Sequence, residues 1–261
     1  MNQKEQILKI AEDLSSLGVK PGDVLFTHSS LSSMGKVEGG CETVIRGMEE
    51  AVGGEGTLLF PAFTFDVCTK PPYYFSYENS RCCVGAIPEY FRTRRGSIRS
   101  VHPSHSVSAS GKRAEELTKF HILDHTPVGE HSPLSLLPKV GGKVLMLGCG
   151  MNPNTSMHGV EELVNCPYNL TKETVTYTLD LGNGDVRKTE HYQHWFWKRW
   201  IQRYDRLEAL LPEEVLRKGK VLEADCFLMD AEKMWAIAAA KMREDPHYFV
   251  DRDPENREQT V

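Results

Sequence analysis

The chain has 261 residues, of which 40% are hydrophobic and 26% charged, and its formal net charge is −5. This composition predicts a globular protein with a substantial core, and the acidic balance argues against a nucleic-acid partner while suiting a cationic small molecule. The first residues do not resemble a secretion signal, no apolar run could span a membrane, and the seven cysteines are irregularly spaced. We therefore expect a cytoplasmic protein without a membrane partner, and leave open whether it is a monomer or a homodimer.

Helices and strands alternate along the first 60 residues. The apolar positions predict a helix over residues 2–17, a strand over 23–27, a second helix, and a strand over 56–60. One face of the second helix carries apolar residues at helical spacing, namely Cys41, Val44, Ile45, Met48 and Val52. This alternation favours an α/β fold over segregated helices and strands.

The remainder of the chain is predicted to complete one domain. The predicted elements are a loop over 67–83, a helix over 87–93, a short strand between 100 and 111, a strand over 143–147, a hairpin over 174–191, an aromatic helix over 193–210, a strand near 219–227 and a closing helix over 231–243. No repeat or linker interrupts this order. We predict a single domain over 1–261, in which residues 165–211 form a substrate-side lobe.

The segment that begins with the strand at 143–147 has the most informative pattern. A glycine-containing turn follows the strand, and the next helix begins near Thr155 and carries His158, Glu161 and Glu162. A histidine at such a strand end can move a proton near neutral pH, and Glu161 lies on the same helical face. The alternative is a helix capped by Thr155 or Ser156 in which the histidine only packs.

Two further patterns could bind phosphate. Four serines lie between His28 and Gly35, ahead of a helix, and a basic run extends from Arg92 to Arg99. Backbone N–H groups, hydroxyls and a helix N-terminus can bind phosphate, although a plain turn explains the serines equally well. The basic run is alternatively a solvated face. Together the two could hold a polyphosphate cofactor at two points.

The histidines recur in pairs, at His102/His105, His121/His125 and His191/His194. These spacings can suit a metal, but the sequence contains no HExxH motif and most of the pairs are predicted in loops. We therefore expect no metal. Cys149 follows the same strand as His158, but the sequence shows no neighbour that would activate its thiol, so we do not predict a covalent intermediate.

Several segments together resemble the antibiotic N-acetyltransferase family, which includes the aminoglycoside 3-N-acetyltransferases. The resemblance covers nearly the whole chain, and its marks, in order, are His28-Ser29-Ser30-Leu31 with Gly35 and Gly39-Gly40, Gly56-Thr57-Leu58 with Pro61, Arg99-Ser100 with His102-Pro103, Ser106 and Gly111, Ser132-Pro133-Leu134, Leu145 to Gly150, and Asn154-Thr155 with His158 and Glu161. It implies a three-layer α/β/α sandwich with a mixed sheet, unlike GCN5-like acetyltransferases, and acetyl-coenzyme A as the donor.

The resemblance also implies roles for individual residues. Coenzyme A would lie between two walls, formed by His28, Ser29, Ser30, Leu31, Ser33 and Gly35 on one side and by Arg99, Ser106 and Val107 on the other. His158 would be the general base that takes a proton from the attacking amine, and Asp205 would orient its imidazole. The acceptor would be held by Asp66, Asn154, Thr155, Glu161, Glu162 and His191.

The implied reaction is transfer of acetyl to a primary amine, with the 3-amino group of a 2-deoxystreptamine aminoglycoside as the expected acceptor. Two alternatives come from other classes of protein. One is a metal-dependent hydrolase built on the histidine pairs, and the other is a non-catalytic module that binds coenzyme A or a sugar.

Overall fold

The structure is a computed structural model that describes residues 1–68 and 70–255. In that part of the chain the strands are β1 (Val24–Ser29), β2 (Thr57–Pro61), β3 (Tyr74–Ser76), β4 (Ile98–Arg99), β5 (Val107–Gly111), β6 (Lys143–Leu147), β7 (Val175–Asp180), β8 (Val186–His191), β9 (Trp200–Gln202), β10 (Leu216–Val221), β11 (Ala224–Asp230) and β12 (Val250–Arg252). The helices are α1 (Gln3–Leu17), α2 (Cys41–Val52), α3 (Phe65–Cys68), α4 (Ala86–Thr93), α5 (Ala114–Thr118), α6 (Pro133–Lys139), α7 (Ser156–Leu163), α8 (Leu207–Leu210) and α9 (Ala231–Glu244). None of these helices is long and apolar enough to cross a membrane.

A seven-stranded mixed sheet forms the centre of the fold, in the order β10-β11-β6-β1-β2-β5-β4. β1 pairs parallel with β2 and with β6, and the other neighbouring strands pair antiparallel. Successive residues of β1 and β6 face opposite cores, with Phe26 and Met146 on one side and Leu25 and Leu145 on the other. The two strands are therefore buried on both faces, which explains the apolar run in β6.

Helices cover both faces of this sheet. α1, α2 and α4 pack on the core that contains Leu25 and Leu145, and α5, α6, α7 and α9 pack on the opposite core. The predicted α/β class, with three layers and a mixed sheet, is confirmed.

The topology opens a crevice at the carboxyl ends of β1 and β6. From β1 the chain continues into α2 on one face of the sheet, whereas from β6 it continues into α7 on the other face. Chain segments that leave neighbouring parallel strands in opposite directions create the position where open α/β sheets bind ligands. His28, Ser29 and the turn after Leu147 all lie at this edge.

The predicted hairpin is confirmed. β7 and β8 pair antiparallel, and the chain between them contains Gly182, Asn183 and Gly184 at positive φ. β3 adds a third strand to this small sheet, and Phe75, Tyr177 and Leu179 form its core. The predicted strand near 219–227 is a second hairpin, because Leu222, at φ +51°, lies between the paired strands β10 and β11.

The aromatic helix predicted over 193–210 is wrong. This segment contains short 3-10 helices at Phe196–Lys198 and Tyr204–Arg206, the strand β9 and the four-residue helix α8. The physical reason is a long-range partner, since β9 pairs antiparallel with β12, about fifty residues further along the chain. A local pattern cannot reveal such a pairing.

Gly159, in the middle of α7, allows α9 to pack closely. A Cβ at this position would lie 2.6 Å from Cζ2 of Trp235 and closer still to its Cη2. The indole cannot swing freely, because its Nε1 donates to Ser156 Oγ at 2.7 Å. We expect Gly159→Ala to lower the free energy of unfolding by about 1–3 kcal/mol, as overpacked cores do, in urea denaturation.

The matched control for this substitution is Gly54→Ala. No atom lies within 4 Å of a Cβ built on Gly54. Its free energy of unfolding should stay within about 0.5 kcal/mol of that of the wild type. Equal stabilities of the Gly159→Ala and Gly54→Ala variants would contradict the packing argument.

Candidate active site

His158 lies near the start of α7 and is 3% exposed. The turn between β6 and α7 is made possible by Gly148 and Gly150, whose φ angles of +71° and +68° are strained for other residues. Asn154 then begins the turn by accepting a hydrogen bond from the backbone of Met157. The strand-turn-helix pattern thus places the imidazole at the crevice edge.

A buried hydrogen-bond network fixes the orientation of this imidazole. Nδ1 of His158 donates to Oε2 of Glu161 at 2.8 Å, and the Tyr204 hydroxyl donates to the other oxygen, Oε1, at 2.8 Å. Nε2 of His158 accepts from the side-chain amide of Gln202 at 3.2 Å. These partners place the proton on Nδ1 and the lone pair on Nε2. Burial and the Glu161 charge raise the pKa of Tyr204, which keeps its hydroxyl a donor.

The prediction that Asp205 orients His158 is corrected. The Asp205 carboxylate is paired with Arg203 at 2.8 and 2.9 Å, and this pairing lowers the pKa of Asp205. Among the described residues, the carboxylate hydrogen-bonded to the imidazole is that of Glu161. Glu161 was predicted to face the acceptor, but it is 0% exposed and both its oxygens are occupied.

His28 links the end of β1 to α7. Its Nε2 accepts from the Thr155 hydroxyl at 3.0 Å and from the Thr155 backbone N–H at 3.3 Å. Burial, together with the nearby His158, lowers the pKa of His28 to about 3, so its imidazole is neutral. Both His28 and Thr155 therefore hold the crevice edge together.

The serine loop lines an open cleft. Ser29, Ser30, Leu31 and Gly35 surround a space of about 560 Å³, which Val37, Gly85 and Ala86 close on the other side. Ser33 instead ties the loop to the turn after β6, because its hydroxyl donates to the carbonyl of Gly148 at 2.7 Å. Four of the six residues predicted for the first coenzyme A wall thus share one cleft.

The predicted opposite wall is not exposed. Arg99 is 4% exposed, and its guanidinium donates to Ser106 Oγ at 2.9 Å and to the carbonyls of Tyr77, Ser80 and Ala62. Burial lowers the pKa of Arg99 to about 10. Ser106 and Val107 are 0% exposed. The prediction that these three residues line the cofactor is corrected, because protein oxygens already occupy the guanidinium.

Two further arginines of the basic run are paired with acids. Arg92 makes an ion pair with Glu89 at 2.8 Å, and Arg94 pairs with Glu42 and Glu49. The run is therefore not a phosphate clamp in this structure, and its charges are partly neutralised at the surface of α2 and α4.

The residues predicted to hold the acceptor lie in different environments. Asn154 and His191 are buried, and burial lowers the pKa of His191 to about 4. Glu162 accepts from the Thr126 hydroxyl at 2.5 Å and from the Val128 backbone at 2.8 Å. Asp66 is exposed and lines a cleft of about 610 Å³. Asp66 is thus the fully exposed member of the predicted acceptor set, whereas Thr155 and Glu162 are half-buried.

The structure groups His158 with one histidine from each of two pairs that lie far apart in the sequence. His105, His158 and His194 each contribute a ring nitrogen, and these nitrogens lie within 4.8 Å of one another. His194 and Phe196 also cover the His158 ring, at centroid distances of 4.2 and 5.0 Å. The sequence signal for this grouping is limited to the i, i+3 spacing of His102 with His105 and of His191 with His194. These three imidazoles could hold a metal ion.

Comparison with known proteins identifies relatives over most of the chain. Residues 26–243 match the family model described as aminoglycoside 3-N-acetyltransferase. Aminoglycoside N(3)-acetyltransferase III of Salmonella sp. is 34% identical over 196 residues, covering 68% of this chain and 67% of that protein. Aminoglycoside N(3)-acetyltransferase IX of Micromonospora chalcea is 30% identical over 266 residues, covering 88% and 90%.

Solved structures share the fold. AAC-IIIb in a binary complex with CoASH has a TM-score of 0.77 and 26% identity, covering 90% of this chain and 95% of that chain. Aminoglycoside acetyltransferase AAC(3)-IVa, carrying a histidine-to-alanine substitution and in complex with a gentamicin, has a TM-score of 0.76 and 26% identity, covering 92% and 89%. The likeness therefore extends over most of each chain.

The environment of Glu162 predicts a pH dependence of stability. Burial raises the pKa of this carboxyl from 4.5 to about 7. Because the folded state binds the proton more tightly, Glu162 stabilises the fold fully below about pH 4.5 and loses this contribution as the pH rises through 7. Between pH 4.5 and 8 the wild type should lose more free energy of unfolding than Glu162→Gln, by an amount on the order of a few kcal/mol.

Urea denaturation at a series of pH values measures this difference. Glu50→Gln, which changes an exposed glutamate, is the matched control and should follow the wild type. Parallel pH profiles for the wild type and Glu162→Gln would show that the buried carboxyl does not titrate in this range.

Proposed function

The chain belongs to the aminoglycoside 3-N-acetyltransferase family, and from this membership we propose that it transfers acetyl from acetyl-coenzyme A to the 3-amino group of a 2-deoxystreptamine aminoglycoside. The names of its relatives support the reaction, the CoASH complex of AAC-IIIb supports the donor, and the gentamicin complex of AAC(3)-IVa supports the acceptor class. The net charge of −5 suits a polycationic acceptor.

In this proposal His158 is the general base, and the observation that carries it is the pairing of its Nδ1 with the buried Glu161. The lone pair on Nε2 takes a proton from the acceptor amine as the amine nitrogen attacks the thioester carbonyl. Glu161 stabilises the imidazolium that results, in the way that a carboxylate supports the histidine of a catalytic triad. Collapse of the tetrahedral intermediate breaks the C–S bond, and the departing thiolate takes a proton from the imidazolium.

We infer direct transfer, without an acetyl-enzyme, from the state of Cys149, the cysteine that follows the same strand as His158. Burial raises the pKa of Cys149 to about 11, so its sulfur is a thiol at neutral pH. The acetyl group therefore passes straight from sulfur to the amine nitrogen within a ternary complex.

We place the donor in the cleft of Ser29, Ser30, Leu31 and Gly35, where hydroxyls and backbone N–H groups can meet phosphate oxygens. The acceptor enters from the lobe of residues 165–211. Because His194 and Phe196 cover the imidazole, the segment between β8 and β9 has to move for an amine to reach Nε2.

Replacing the base tests the mechanism directly. His158→Ala should lower turnover by roughly 10²–10⁴-fold, because it removes the group that accepts the amine proton. Thiol release from acetyl-coenzyme A, measured against a panel of aminoglycosides with mass spectrometry of the product, gives both the rate and the acceptor. His247→Ala, which removes an imidazole that packs on Trp200, should retain the wild-type rate. Near-normal thiol release by His158→Ala would exclude this role.

A second pair of variants tests which carboxylate supports His158. Glu161→Gln keeps the shape but removes the charge that stabilises the imidazolium, so turnover should fall by roughly tenfold or more, up to about 10⁴-fold. The lower limb of the rate against pH should also move to lower pH. Asp205→Asn is the control and should retain both the rate and the pH profile. The opposite pattern, with Asp205→Asn inactive and Glu161→Gln unchanged, would contradict the assignment.

A further inference from the structure

The grouping of His105, His158 and His194 points to a second ligand for this site. One nitrogen of each imidazole lies within 4.8 Å of the others. We propose that these three imidazoles bind one transition-metal cation of the Zn²⁺ type, and that the bound cation blocks acetyl transfer by occupying the nitrogen that would accept the proton. The blocking part rests on the proposed role of His158, whereas the binding part does not.

The donor set suits such a cation. Three histidines and one open position are a common zinc environment, with Zn–N distances of about 2.0–2.1 Å. Nitrogens on one tetrahedral ion lie about 3.3 Å apart, so binding would bring these three closer by up to about 1.5 Å. The three residues come from a loop before β5, from α7 and from the segment after β8, so small shifts of separate elements can close the site.

Hydrogen bonds from neighbouring residues fix the orientation of two of the three imidazoles, as is usual for metal ligands. Metal-binding histidines usually hydrogen-bond through their other nitrogen, which fixes the ring and its tautomer. His158 Nδ1 bonds Glu161 at 2.8 Å, and His105 Nδ1 bonds the Ser104 hydroxyl at 2.9 Å. Glu161 also supplies a buried negative charge that offsets part of the charge of a divalent cation.

The protonation state favours metal binding as well. A histidine must be neutral to coordinate a metal. Burial and the neighbouring imidazoles lower the pKa values of His105 and His194 well below the ordinary value, which favours the neutral form that metal binding needs.

The metal and the proton would compete for the same atom. In the proposed reaction Nε2 of His158 must carry a free lone pair, and a coordinated cation removes it. Coordination would also tie His194, and with it the segment that covers the base, to the core of the domain. A bound cation therefore both occupies the base and closes the path of the acceptor.

Calorimetric titration of the chelator-treated full chain with ZnCl₂ tests the binding, and the visible spectrum of the Co²⁺ form reports the coordination geometry. We expect one Zn²⁺ site in the wild type. In His105→Ala and in His194→Ala the affinity for Zn²⁺ should fall by at least about tenfold. Each position is also changed to Gln, so that a variant that fails to fold does not decide the result. His247→Ala should bind as the wild type does.

Acetyl transfer measured with and without ZnCl₂ tests the blocking. We expect ZnCl₂ to inhibit the wild type, chelator to restore it, and His105→Ala to resist inhibition. Absence of Zn²⁺ binding, or Zn²⁺ binding that survives the loss of His105 and His194, would contradict the proposed metal site.

Stoichiometric Zn²⁺ binding that leaves acetyl transfer unchanged would contradict the proposed inhibition. A metal-dependent gain of hydrolysis would contradict it as well. Failure of the proposed function is distinct, since the metal-free wild type would then transfer no acetyl to any aminoglycoside.

Discussion

The buried carboxylate of Glu161 is the constraint on which the arrangement of the site depends. An ionised carboxylate without partners inside a protein is very costly, so each oxygen needs a strong donor. His158 supplies one from the same helix, and Tyr204 supplies the other from a 3-10 helix more than forty residues later. Tyr204 can reach it because β9 pairs with β12 immediately before that 3-10 helix. The carboxylate thus ties the lobe to α7.

The sheet topology supplies the other half of the site. The parallel strands β1 and β6 send the chain to opposite faces, and the serine loop that follows β1 lines an open cleft. Ser33 and His28 connect the two sides by hydrogen bonds to Gly148 and Thr155. These hydrogen bonds fix the serine loop and α7 relative to each other before any ligand binds.

Local patterns in the sequence predicted those elements that depend on neighbouring residues, and failed where partners are distant. The hairpin β7–β8, the strand β6 and the i, i+3 relation of His158 to Glu161 follow from residues that are close in the chain. Arg99 could not be assigned in this way, because carbonyls from two other segments of the chain enclose it. The family resemblance indicates Asp205 as the residue that orients His158, although the helical spacing places Glu161 beside this histidine. The aromatic helix predicted over residues 193–210 is wrong for the same physical reason, because β9 in this segment pairs with the distant strand β12.

Pairing with a carboxylate sets His158 apart from the other buried histidines. Six of the ten histidines are buried, and burial lowers the pKa values of His28, His102, His105, His121 and His191. Neighbouring imidazoles oppose charge on one another, so the cluster resists a second positive charge. Among the six, His158 is the one that the described structure hydrogen-bonds to a carboxylate. The buried carboxylate of Glu161 therefore pairs with one imidazole of the cluster, that of His158. In the proposed site, a metal cation would compete with the proton for this imidazole.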